Sequence, residues 1–203
     1  MAMKIRLQDV SIDHMIQDRA FEPQRTANSY LDIDLSDVVS DIHGRELRPI
    51  TDTNLTDYSV NTMLRLALES HGMPNQSSEL ITIRKGNEAI KFAGGVTYDD
   101  IDVVVTDFIG ADVENLISAW DAKRYNPVTG MMFPAVNYKR RGTIVQYSPD
   151  GEITRTWTLL GCWLNSVKYG DYNRSEAASE RKISFTIHID KAYPDVRVAG
   201  TNY

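Results

Sequence analysis

Asp99, Asp100 and Asp102 put three carboxylates side by side, the kind of run that seeds a calcium loop or an acid–base pair. Strand alternation sends Asp99 and Asp100 to opposite faces, and no glycine-containing loop wraps them, so they read as a turn or strand edge. His188 lies between Thr186 and Asp190 on a polar strand face. A general base there needs a serine or cysteine nucleophile motif, and none accompanies it. His14, His43, His71 and His188 are scattered without metal-ligand spacing. No P-loop, dinucleotide fingerprint or G-x-S-x-G elbow occurs, and no two carboxylates can be set opposite each other as a glycosidase requires. The expectation is a protein that is not an enzyme and needs no cofactor or metal.

Composition narrows the class further. The chain has 203 residues, 42% hydrophobic and 25% charged, ordinary for a globular domain with a real core. No stretch approaches the roughly 20 apolar residues of a membrane-spanning helix. Charges run through the first 20 residues, so no signal-peptide core is expected there and the protein stays on the cytoplasmic side unless a larger assembly carries it out. The single cysteine, Cys162, excludes an internal disulfide and a cysteine zinc site; between Gly161 and Trp163 it reads as a small buried hydrophobe. A net charge of -6 argues against sequence-independent phosphate binding.

The elements that must position these residues are mostly strands. Residues 1–26, interrupted by Pro23, read as an arm. Leu31, Ile33 and Leu35 alternate with Asp32, Asp34 and Ser36, the period of a half-buried strand. Residues 36–61 read as a long polar loop. Leu64, Leu66 and Leu68 alternate again and predict a strand over Met63–Glu69. Lys85-Gly86-Asn87 between Leu80–Arg84 and Glu88–Phe92 predicts a hairpin. Ile101, Val103 and Val105 form the next strand. The only helical stripe is Val113, Leu116, Ile117 and Trp120, predicting a helix over 111–122 capped by Gly110 or Asp112. A basic loop over 123–141 follows, then strands at Thr143–Tyr147, from Ile153 through Trp157 to Leu159, and at Ile183–Ile189, and a tail at 197–203. The fold class is mainly β: an antiparallel barrel or sandwich of about eight strands with one packed helix, an extended arm and long loops.

In their order, these segments resemble the tail-tube protein family of contractile-tailed bacteriophages. The resemblance rests on Leu64–Pro74, on the hairpin from Glu79 to Gly94, on Thr97-Tyr98-Asp99-Asp100 before a strand, and on a helix ending in Trp120. It continues through the Gly161–Val167 turn, the Tyr172 region and the strand Ile183–Asp190, so it spans residues 27–196. It implies hexameric rings that stack into a tube through which DNA passes without specific binding. The implied partners are further copies and the sheath, baseplate and tail-terminator proteins, in a virion tail assembled in the host cytoplasm. The same fold is implied for baseplate tube-initiator rings and the type VI secretion tube protein. The segment Asp37–Asn61 is longer than the family's tight hairpin at this place, and the arm is extended, so an initiator role is the alternative.

The resemblance gives the charge distribution a use. Residues 1–110 carry 18 acidic and 10 basic side chains, whereas 111–203 carry 10 and 12. From Asp32 to Asp57 the balance is 7 acidic to 2 basic, and from Lys123 to Arg141 it is 0 to 5. A ring of identical subunits needs two different surfaces that meet. The interface candidates are Asp32, Asp34, Asp37 and Asp41 on one side. On the other are Lys123, Arg124, Met131, Met132, Phe133, Lys139, Arg140 and Arg141. A wall that DNA slides past should be neutral or acidic, which makes Asp32, Asp34, Glu88, Asp100 and Asp102 lumen candidates. From a different class, a carbohydrate-binding β-sandwich would stack sugars on Trp120, Trp157 and Trp163. Trp120 and Trp157 sit on predicted apolar faces, which disfavours it.

Overall fold

The computed structural model describes residues 23–38, 60–109, 113–172, 175 and 180–195. Most of the expected arm, the expected tail, the helix cap at Gly110 or Asp112 and most of the 36–61 loop, Asp41 included, lie outside the described residues.

Among those residues the chain runs β1 (Ser29–Ile33), α1 (Val60–Ala67), β2 (Leu68–His71), β3 (Gln76–Lys85), β4 (Glu88–Tyr98) and β5 (Ile101–Thr106). Then come α2 (Val113–Ala122), β6 (Tyr125–Asn126), β7 (Met131–Met132), α3 (Ala135–Tyr138), β8 (Arg140–Tyr147), β9 (Ile153–Lys168), β10 (Lys182–His188) and β11 (Lys191–Asp195). The fold is mainly β and antiparallel, as expected. Seven strands make one sheet in the order β1-β8-β9-β10-β5-β2, with β11 also paired to β9. The sheet is open rather than a closed barrel. Its two ends lean together, with Ser29 Oγ 3.1 Å from His71 Nε2.

Alternation drives this body. Ile101, Val103 and Val105 of β5 and Ile183, Phe185 and Ile187 of β10 all turn inward and are buried. In between, Asp102, Ser184, Thr186 and His188 turn outward. The helices α1 and α2 cover the inward face of the sheet through Met63, Leu64 and Ala67 and through Val113, Leu116, Ile117 and Trp120. Each large side chain buried in this way is worth about 1.5–3 kcal/mol. The Trp120 indole N–H, which would be costly to bury unpaired, donates to the Tyr138 carbonyl at 3.0 Å. Trp120 is therefore spent in the core, and no sugar-stacking platform of three tryptophans forms.

Three expectations are corrected. The strand predicted over Met63–Glu69 is instead α1 followed by β2, with Leu66 exposed. The basic stretch 123–141 is no featureless loop, since β6 pairs β7, α3 follows, and Arg140 and Arg141 begin β8. The turn expected at Gly161–Val167 lies inside the 16-residue β9. Gly161 has φ +71, the left-handed region open to glycine, and Asp190 occupies the space where a Cβ would sit. Before that glycine β9 is flanked by β8 and β11, and after it chiefly by β10.

The ribbon β2–β5 continues past the body. Gly72 N donates to Asp102 O at 2.8 Å and Asp99 N to Asn75 O at 3.0 Å, and beyond these links β3 and β4 pair from Gln76↔Tyr98 to Lys85↔Glu88. The Gly86 turn, φ +62, closes the hairpin where the sequence predicts it, although its strands are longer than expected.

Candidate assembly surfaces

Among the described residues the β3–β4 hairpin pairs with no other strand, and every residue of β3 is exposed. One face of the ribbon carries Ile81 and Ile83 opposite Phe92 and Ile90, between 47% and 53% exposed. The other carries Leu80 and Val96, with Thr82, Arg84 and Lys91. The register shifts beside Gly94 and Gly95, and glycine suits the close approach there, because a Cβ at Gly94 would stand 3.1 Å from Glu79. An antiparallel strand with one wet face alternates apolar and polar residues, whereas consecutive apolar residues mark a strand covered on both sides. Leu80-Ile81 is such a pair, and it is the signal that sequence reasoning passed over: none of the interface candidates lies in the hairpin.

The candidates in the basic segment form a second exposed patch. Met131, Met132, Val128 and Val136 are exposed on and beside the β6–β7 ribbon, and Tyr125 stands opposite Met132. Phe133 is half-buried, and its N–H donates to Arg124 O at 3.0 Å. Three of the five cations find carboxylates within their own chain. Arg124 pairs with Asp121 at 2.7 Å, Lys139 with Asp190 at 2.5 Å and Arg140 with Asp37 at 2.7 Å. Acidic and basic stretches thus meet at Asp37–Arg140 inside one protomer. Lys123 and Arg141 have no carboxylate partner among the described residues.

The acidic candidates are dispersed. Asp32, on β1, is half-buried, and burial pushes its carboxyl up against the opposing pull of Arg65. Asp34 is held down by hydrogen bonds from the Ser36 hydroxyl, at 2.7 Å, and the Ser36 N–H. Asp100 and Asp102 share the outward face beside β10, where Asp100 contacts His188 Nδ1 at 2.6 Å and Asn165 at 2.8 Å, and Thr186 donates to Asp102 at 2.9 Å. Glu88 lies at the hairpin tip, opposite Lys85. Asp99 stays at the bend between β4 and β5, as expected. No group of three metal-ligating side chains occurs, and no helix is long and apolar enough to cross a membrane, among the described residues. Cys162 is fully buried, and burial, with Asp190 nearby, pushes its thiol up to about 12.

No family model and no curated protein matches the sequence. Solved structures do match. A chain of the extended sheath–tube complex of the extracellular contractile injection system PVC is 13% identical, with a TM-score of 0.58 over 92% of this chain and 99% of that one. The tube-terminating cap of the anti-feeding prophage gives 12% identity and a TM-score of 0.58 over 86% and 92%. The anti-feeding prophage baseplate gives 9% and 0.56 over 85% and 95%. The fold is that of these contractile-injection-system chains.

Proposed function

We propose that this protein is a structural subunit that self-assembles into hexameric rings, stacked as the tube of a contractile tail or injection particle. The observation that carries the reading is the hairpin. A two-stranded ribbon is marginal in water by itself, yet this one exposes six large apolar side chains over nine residue pairs. A chain that builds such a ribbon on a well-buried body is built to have it covered, and the tail-tube fold supplies identical neighbours to cover it. The sheath, baseplate and terminator are the further partners of such a tube, and the particle is its place of residence. The channel would carry DNA without binding it, with Asp32, Asp34, Glu88, Asp100 and Asp102 as candidates for a wall that repels phosphate.

Negative-stain electron microscopy of the purified protein tests this. Open rings or tubes are the expected result; compact monomers at every concentration and salt would overturn it. The similarity to a tube-terminating cap, equal in TM-score to that for the sheath–tube complex, supports a second reading in which rings form and never stack. Tube formation separates the two. In the tube, reversing Lys123 and Arg141 to Glu is expected to change assembly yield and its salt dependence, because these are the two cations of the 123–141 segment with no carboxylate partner among the described residues.

A further inference from the structure

We propose that the Ile81, Ile83, Ile90 and Phe92 face of one copy's hairpin seats on the Tyr125–Met132 ribbon of a second copy. The proposal rests on the self-assembly reading and names the two surfaces that meet. Both patches are exposed in the protomer, with Phe92 at 49% and Met132 at 65%. They are different surfaces, so their contact is head to tail and propagates from copy to copy instead of ending in a two-fold dimer.

Charge selects the face. The hairpin face with Ile81 and Ile83 also bears Glu79, Lys85 and Glu88, whereas the opposite face bears Arg84 and Lys91. The cross-strand neighbours Lys85 and Glu88 offset each other, which leaves Glu79 as the uncompensated charge. The 123–141 segment has no acidic residue, and Lys123 and Arg141 stand unpaired among the described residues. The second face would bring cations against cations, so the first is the one that fits. Met131 and Met132 suit the receiving side, because an unbranched thioether adapts to a ridge of β-branched and aromatic groups. The hairpin face measures about 33 by 10 Å from strand rise and spacing, on the order of 300 Å². That is below the roughly 800 Å² per partner of a free-standing interface, so the contact works as one of several repeated around a ring.

Cysteine cross-linking reads this directly, since Cys162 is buried and its thiol is held protonated. Ile83→Cys and Met132→Cys, both at exposed positions, are combined in one chain, checked for an unchanged melting temperature, and oxidised with diamide, which takes the two thiol hydrogens as the disulfide forms. A ladder of covalent oligomers beyond the dimer, absent from either single variant, is expected. Rings or tubes in micrographs of the double variant with no such ladder would overturn the docking and leave assembly standing. Monomers in the micrographs, with no ladder, would overturn both.

Discussion

The β5 strand and the β4 strand that leads into it belong to one continuous ribbon and use the same kinds of residue, yet they end in opposite environments. Ile101, Val103 and Val105 of β5 are at most 1% exposed, whereas Ile90, Phe92 and Val96 of β4 are near half. The difference lies in what is laid against the ribbon. β5 has β10 on one side, β2 on the other and α1 on its inner face; among the described residues β4 pairs only with β3 and otherwise touches the body at β11. Apolar alternation therefore reports that a face wants cover. Whether the cover comes from the same chain is decided by where the helices fall.

The sharpest way to break this comparison is a matched pair of truncations. Phe185→Ala removes a buried ring and is expected to cost about 3–5 kcal/mol in denaturant unfolding. Phe92→Ala is expected to stay within about 0.5 kcal/mol of the parent protomer while reducing ring or tube yield in micrographs. Equal losses of stability would show that the hairpin is part of the folded core. Next in size is Gly161→Ala, which forces a side chain into the left-handed region and onto Asp190, at about 2 kcal/mol or more by thermal unfolding. Combining it with Asp190→Gly should recover the steric part and leave the backbone part. If the single variant melts like the parent, the bend in β9 is not fixed by this glycine.

Smaller still is Asp37→Ala. It removes the pair with Arg140 from its exposed end, while Arg140 keeps its bond to the Asn137 carbonyl, and should cost about 0.2–1 kcal/mol, less at high salt. The smallest effect carries a sign worth checking. The Asp32 carboxyl is raised by burial in the folded state, so ionising it costs folding free energy at neutral pH. That cost is absent below the unfolded carboxylate range and builds as pH rises through it to the raised folded value. Asp32→Asn should therefore melt slightly higher than the parent at pH 7, and the gap should close as pH falls toward 4. A gap that widens on acidification would mean the Arg65 attraction outweighs burial.

Much of the body was legible in advance. Ile183, Phe185 and Ile187, Ile101 through Val105, the Val113–Trp120 stripe and the Gly86 turn stand where their patterns put them, because each period extends over enough residues to choose one geometry. The α1 helix was not legible for the opposite reason. Leucines at 64, 66 and 68 satisfy a period of two, while Met63, Leu64 and Ala67 satisfy a helical face, and packing against α2 and β1 decides for the second over Val60–Ala67. Gly161 reads locally as a turn, and only the pairing of β9 with β8, β11 and β10 makes it a bend within one strand. For the candidate surfaces, the exposed methionines and the cation-rich composition of 123–141 were visible. The in-chain pairing of Lys139 and Arg140 was not, since Asp190 and Asp37 come from distant positions.

The continuity of the β2–β5 ribbon with the hairpin also has a mechanical meaning. A pull along the hairpin axis arrives in β5, which is joined to β10 in register from Ile101↔Ile187 to Thr106↔Lys182. Such a row of bonds is loaded together in shear instead of being unzipped one at a time, and β10 hands the load on to the long β9. The hairpin is thus a tension member anchored across the width of the sheet. A molecule gripping its tip would hold the whole body rather than a hinged flap.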